Sequence, residues 1–171
     1  MPIVHPFAGK SLVIGIGNPI LTDDGIGPRL VERCRDEAPI PGVEYRTESV
    51  GGLEILEQVQ GYENVVFIDA IKTQDGVPGT VSRFSLDDFK ETAHLSNPHD
   101  VSFLTALKLG KLVGFSIPRR VAIIAVEIEE DMVFSDRMTP ALEENYPRIF
   151  GEVTQLLLEE LGAGDTRSPA S

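Results

Sequence analysis

The sequence predicts a three-layer α/β/α sandwich around a mostly parallel sheet. Three observations carry this reading. The runs SLVIGIG (11–17), VVFID (65–69) and RVAIIAVEI (120–128) lack the regular polar alternation of a half-exposed strand, as strands buried on both faces do. Segments with apolar residues at helical spacing lie between them, and strands that alternate with helices form a parallel sheet covered on both sides. The length, 171 residues, suits one domain, large enough to bury roughly 70% of the surface its unfolded chain exposes.

The elements follow in order. SLVIGIG is the first strand, and the loop NPILTDDG follows it. Residues 26–37 place Ile26, Leu30 and Val31 on one side of a helix, with Pro28 in the first turn, where its missing N–H costs little. VEYRT (43–47) alternates like a second strand, and LEILEQVQ (53–60) reads as a short helix burying Leu53, Ile55, Leu56 and Val59. VVFID is the clearest buried strand, and PGTVSRFSL (78–86) is a strand reached through a turn. Residues 101–112 have helical spacing, and 120–128 form the next buried strand. The final helix, 139–161, starts at Thr139 and Pro140, a capping residue followed by proline. Pro147 is expected to kink or interrupt it. Residues 1–162 are read as the domain and 163–171, small and polar, as a disordered tail.

Composition excludes several functions. Lys and Arg number 15 against 27 Asp and Glu, a formal net charge of −12. Binding to nucleic acid or to an anionic membrane needs the opposite sign. Cys34 is the sole cysteine, which rules out an internal disulfide framework and a multi-cysteine zinc or iron–sulfur site. MPIVHPFAGK lacks the pattern of a secretory leader, and no apolar run approaches the roughly 20 residues of a membrane span. A cytoplasmic protein without membrane insertion or nucleic-acid partners is expected.

Two glycine motifs fail on inspection. Gly9, Lys10 and Ser11 suggest a phosphate-binding loop, but Val4 stands where a glycine is needed and the motif precedes the strand. Gly15 and Gly17 suggest a dinucleotide fold, but Ile20 replaces the third glycine, and Asp23 and Asp24 would repel a pyrophosphate. A tight backbone turn explains these glycines better.

The loop acids are more informative. Asp23 is expected to cap the following helix. A second acid is superfluous for capping, and Gly25 and Gly27 leave room for a ligand beside Asp24. Asp69 closes a buried strand, where a carboxylate is costly unless paired or used; a hydrogen-bonded structural role is as good a reading of that residue alone. His99 follows Pro98 at the start of the 101–112 helix, where a lone histidine is more often merely solvated. His5 and His94 carry no role. The fold brings Asp24, Asp69 and His99 toward the carboxyl edge of the sheet, where such folds bind ligands. Two carboxylates and one imidazole suit a divalent first-row metal and leave coordination positions open.

At these residues the chain resembles a known family. GIGNPILTDDGIG (15–27), VVFIDAI (65–71) and NPHDVSFLTAL (97–107) look like the signature segments of the nickel–iron hydrogenase maturation endopeptidases, and the likeness runs from about residue 11 to 160. The resemblance implies a five-stranded mixed sheet with one antiparallel strand, for which PGTVSRFSL is the candidate. It implies an endopeptidase of aspartyl type that removes a C-terminal extension from a hydrogenase large-subunit precursor after nickel insertion. It also carries the family's metal-contacting positions onto Asp24, Asp69 and His99. Asn97 stands where the family often has serine, and residues 86–97 match poorly, which bears on which hydrogenase is processed.

Two mechanisms stay open at this level. In one, nickel held by the substrate precursor is bridged by the three residues and Asp24 acts as general base; zinc or cadmium are possible surrogate ions. In the other, a metal on this protein polarises the peptide carbonyl. A non-catalytic nickel-loading checkpoint is the rival from another class, and a nucleotide-binding switch a more distant one.

Overall fold

The computed structural model describes residues 10–49, 52–88 and 98–162, with the backbone alone for 53 and 98–103. The expected 163–171 tail lies outside the described residues. The strands are β1 (Ser11–Ile16), β2 (Val43–Glu48), β3 (Asn64–Ile71), β4 (Val81–Ser85) and β5 (Arg120–Glu127). They form one sheet in the order β2-β1-β3-β5-β4. Pairings β1/β2, β1/β3 and β3/β5 are parallel, and β4 runs antiparallel to β5. PGTVSRFSL is thus the antiparallel strand, and the mixed five-stranded sheet stands as expected. β3 is buried along its whole length, as its unbroken apolar run requires, whereas the edge strands β2 and β4 are half exposed.

Side-chain parity assigns the layers. Val13, Val66, Ile68, Ala122, Ile124 and Val126 face one side with α1 (Ile26–Glu37) and α4 (Pro140–Leu161). Leu12, Ile14, Phe67, Ile123 and Ala125 face the other, with α2 (Leu53–Gln58) and α3 (Pro98–Leu112). Alternate residues of a strand point to opposite faces, so a strand between two helical layers must be apolar on both.

Two expectations are refined here. The last helix is not interrupted at Pro147 and runs from Pro140 to Leu161. Proline removes one backbone bond, but Leu142, Ile149, Val153 and Leu157 are buried in one core on both sides of it, and that packing holds the helix together. The helix expected over 101–112 begins earlier, at Pro98, so His99 lies in its first turn rather than before it.

Glycines place the first helix. A Cβ on Gly27 would lie 2.5 Å from the Ile68 carbonyl oxygen and 2.6 Å from that of Ile16. A Cβ on Gly15 would lie 2.6 Å from the Gly27 carbonyl oxygen. No side chain fits there, so backbone meets backbone and the start of α1 sits directly on the ends of β1 and β3.

Candidate active site at the carboxyl edge

The register sets the site. Gly15 pairs with Ile68, and Ile68 with Ile124, so Asp69 stands level with the end of β1. β3 continues to Ile71; Asp69 is therefore near the end of the strand, not its last residue. Its parity is that of Phe67 and Ile71, which puts its side chain on the face covered by α2 and α3. Asp69 is buried, and its Oδ1 accepts the Ala70 N–H at 2.8 Å.

Asp24 lies in a 3-10 turn, Thr22–Gly25, between β1 and α1, and that turn contacts β3. Asp24 is also buried. Its Oδ2 accepts the Asn18 N–H at 2.8 Å. Gly17 makes this loop possible: with φ at +149°, a Cβ there would come within 2.0 Å of the Asp24 carbonyl oxygen.

α3 contacts α2 and the sheet and ends where residues 113–119 lead into the start of β5, at the amino edge. Its first turn, with His99, therefore lies toward the carboxyl edge. The His99 side chain lies outside the described residues. Among the described residues no three His, Cys, Asp or Glu side chains are grouped to hold a metal ion. Asp24 and Asp69 each have a carboxylate oxygen that accepts a backbone N–H.

Asp23 behaves differently from the expectation. The N-cap of α1 is Gly25, and no side chain caps that helix. Asp23 is fully buried and turns away to a distant part of the chain. Its Oδ1 accepts the Thr139 N–H at 2.7 Å, and its Oδ2 accepts the N–H groups of Glu129 and Glu130 at 3.1 and 3.0 Å. The Thr139 hydroxyl donates to both oxygens, at 3.1 and 2.9 Å. Thr139 is the N-cap residue of α4, as its sequence suggested, but its hydroxyl serves Asp23 instead of its own helix. Replacing Asp23 with Ala would leave three part-buried backbone donors without this partner. A loss of about 3 kcal/mol is expected, read as a lowered denaturation midpoint in urea. A midpoint within error of wild type would show that water replaces these bonds.

The turn is held under strain. Thr22 is the only non-glycine residue with positive φ among the described residues, at +50°, unfavourable for a β-branched side chain. Its N–H donates to the Ser135 carbonyl at 3.0 Å, and its hydroxyl to that of Val133. Leu21 and Ser135 form a parallel bridge.

Glu127 was not singled out in the sequence, although an acid near the end of an apolar run was the signal that found Asp69. It is buried near the end of β5, and its Oε1 accepts the N–H and hydroxyl of Thr73 at 2.6 and 2.9 Å. It anchors the connection that leaves β3 just past Asp69.

Two alternatives lose support. Cys34 points into the core under α1, and burial pushes its thiol up to about 11, so it is no thiolate nucleophile at neutral pH. A cavity of about 1500 Å³ opens at the amino edge, bordered by Asn64, Phe84, Phe115 and Arg120. It lies at the wrong end of the sheet for strand-end chemistry, and its Arg83, Arg120, Glu159 and Glu160 are joined in ordinary surface ion pairs.

A mostly parallel sheet between two helical layers, with buried acids near the ends of its central strands, defines an α/β fold of the kind that binds ligands at the carboxyl edge. Residues 48–156 match the family model described as hydrogenase maturation protease, and the chain belongs to that family; it is a peptidase. The matched span includes Asp69 and His99 and begins after Asp24. The Hydrogenase 2 maturation protease of Escherichia coli is 29% identical over 138 residues, 78% of this chain and 82% of the relative. The hydrogenase maturating endopeptidase HybD of Escherichia coli superposes with a TM-score of 0.70 at 25% identity, covering 88% of this chain and 93% of that one. The hydrogenase 2 maturation peptidase of a Thaumarchaeota archaeon gives 0.60 at 28% identity, covering 91% and 99%. Among the described residues no helix is long and apolar enough to cross a membrane.

Proposed function

We propose that this peptidase removes the C-terminal extension of a nickel–iron hydrogenase large-subunit precursor after nickel insertion, and that it recognises the nickel held by that precursor. The observation that carries the reading is the pair of buried carboxylates, Asp24 and Asp69, oriented at one sheet edge by the N–H groups of Asn18 and Ala70. Carboxylate oxygens are hard donors suited to a divalent ion, and the substrate-borne ion is one. His99, in the first turn of α3, adds an imidazole donor, and an oxygen–nitrogen donor set suits nickel or a surrogate such as zinc or cadmium.

In the proposed reaction the three side chains dock the substrate's nickel and so fix the nearby peptide bond. Asp24 takes a proton from water as general base. The water oxygen bonds to the scissile carbonyl carbon, the C–N bond breaks, and the proton passes to the leaving amine. The aspartates thus serve an aspartate-dependent endopeptidase without a serine or cysteine nucleophile. The relatives' names support the class of substrate: one is a Hydrogenase 2 maturation protease. Incubation with nickel-loaded precursor, followed by intact mass, tests the reading. Loss of a single C-terminal fragment is expected; binding without shortening would favour a non-catalytic checkpoint.

A further inference from the structure

We propose that an apolar ridge beside the Asp24 turn, formed by Ile20, Met132, Val133 and Phe134, is the surface on which the hydrogenase large-subunit precursor docks, through an apolar patch with a basic margin. The proposal rests on the processing reaction above and extends it to the residues that capture the substrate.

The four side chains are 55%, 79%, 57% and 77% exposed. Single exposed apolar residues are ordinary, but a cluster on adjoining segments marks an interaction surface. These segments are held rigidly. The Ser135 N–H donates to the Ile20 carbonyl at 2.9 Å, and the Thr22 N–H to the Ser135 carbonyl at 3.0 Å. Glu130 Oε1 accepts the N–H groups of Met132 and Val133 at 2.9 and 3.1 Å. Those bonds, led by that from Met132, hold the Glu130 carboxyl below its usual range. Backbone pinned on both sides cannot fold the three side chains of 132–134 inward, and a surface ordered before binding loses less entropy on docking.

Position and charge select the occupant. The ridge shares its backbone bridge with the turn that carries Asp24, so whatever sits on it lies beside the candidate site. Glu129, Glu130, Asp131 and Asp136 flank the ridge and outnumber the nearby cations, Arg137, Arg29 at the Asp136 carbonyl and Lys72 paired with Asp131, and the whole chain carries −12. A partner with an apolar centre and basic margin is complementary. A second exposed apolar group among the described residues, Leu112, Val113 and Phe115, lies at the amino edge, away from both acids.

The test is steady-state processing of nickel-loaded precursor by wild type, by a double variant Met132→Ser/Phe134→Ser, and by Leu112→Ser/Val113→Ser as a control that also removes two exposed apolar side chains. The double variant is expected to raise KM at least about tenfold, with kcat at saturation and melting temperature unchanged, while the control matches wild type. An unchanged KM overturns the proposal. So does a fall in kcat alone, an equal effect in the control, or a double variant that only dissociates a homodimer. If wild type binds precursor without shortening it, the processing reading falls by itself. Binding affinity then replaces KM, and equal affinity for wild type and double variant overturns the ridge.

Discussion

Asp24→Asn is expected to lower the rate of precursor processing by about a hundredfold to ten-thousandfold, the range that a lost general base costs, with the fold intact. The substitution is isosteric, and an amide oxygen can still accept the Asn18 N–H that orients the native carboxylate at 2.8 Å. What disappears is the negative charge and the ability to take a proton. Asp23→Asn makes the contrasting case. There an amide NH₂ must face donors from Thr139, Glu129 or Glu130, so the first loss is stability. Measuring both rate and melting temperature separates the two residues. Processing by Asp24→Asn at the wild-type rate would remove that residue from the chemistry, whatever its position.

Nickel-free precursor should be cut at least about a thousandfold more slowly than nickel-loaded precursor at limiting concentration. The carboxyl edge shows oriented carboxylates, and the cavity of about 1500 Å³ lies at the opposite edge. Recognition then comes from bonds that the loaded precursor makes and the empty one does not. About 4 kcal/mol of such bonds corresponds to a thousandfold in affinity. Loading nickel into the precursor should restore cleavage, and preincubating the protease with nickel should not. Equally fast cleavage of empty precursor by metal-stripped protease would refute the gating and leave the acids needing another explanation.

Most of the architecture was legible because burial on two faces leaves a signal in composition. SLVIGIG, VVFID and RVAIIAVEI became β1, β3 and β5, the three central strands. The weaker alternation of VEYRT matched the half-exposed edge strand β2. Pro147 does not interrupt α4, because the cost of a missing N–H is local, whereas the packing that outweighs it comes from residues of the sheet and of α1. Glu127 escaped notice because its partner, Thr73, lies 54 residues away.

The layer order, the buried strands and the placing of Asp69 near a strand end followed from residue patterns, since periodicity and burial are properties of short segments. The division of labour between Asp23 and Asp24 did not. The two are neighbours in sequence, and local rules assigned Asp23 to the helix beside it. Only the folded chain brings Thr139, 116 residues away, to its carboxylate, and sets the 132–134 segment beside Ile20. Hydrogen-bond partners so distant in sequence leave no spacing to read, because closing so long a loop is the work of the whole core rather than of any local preference.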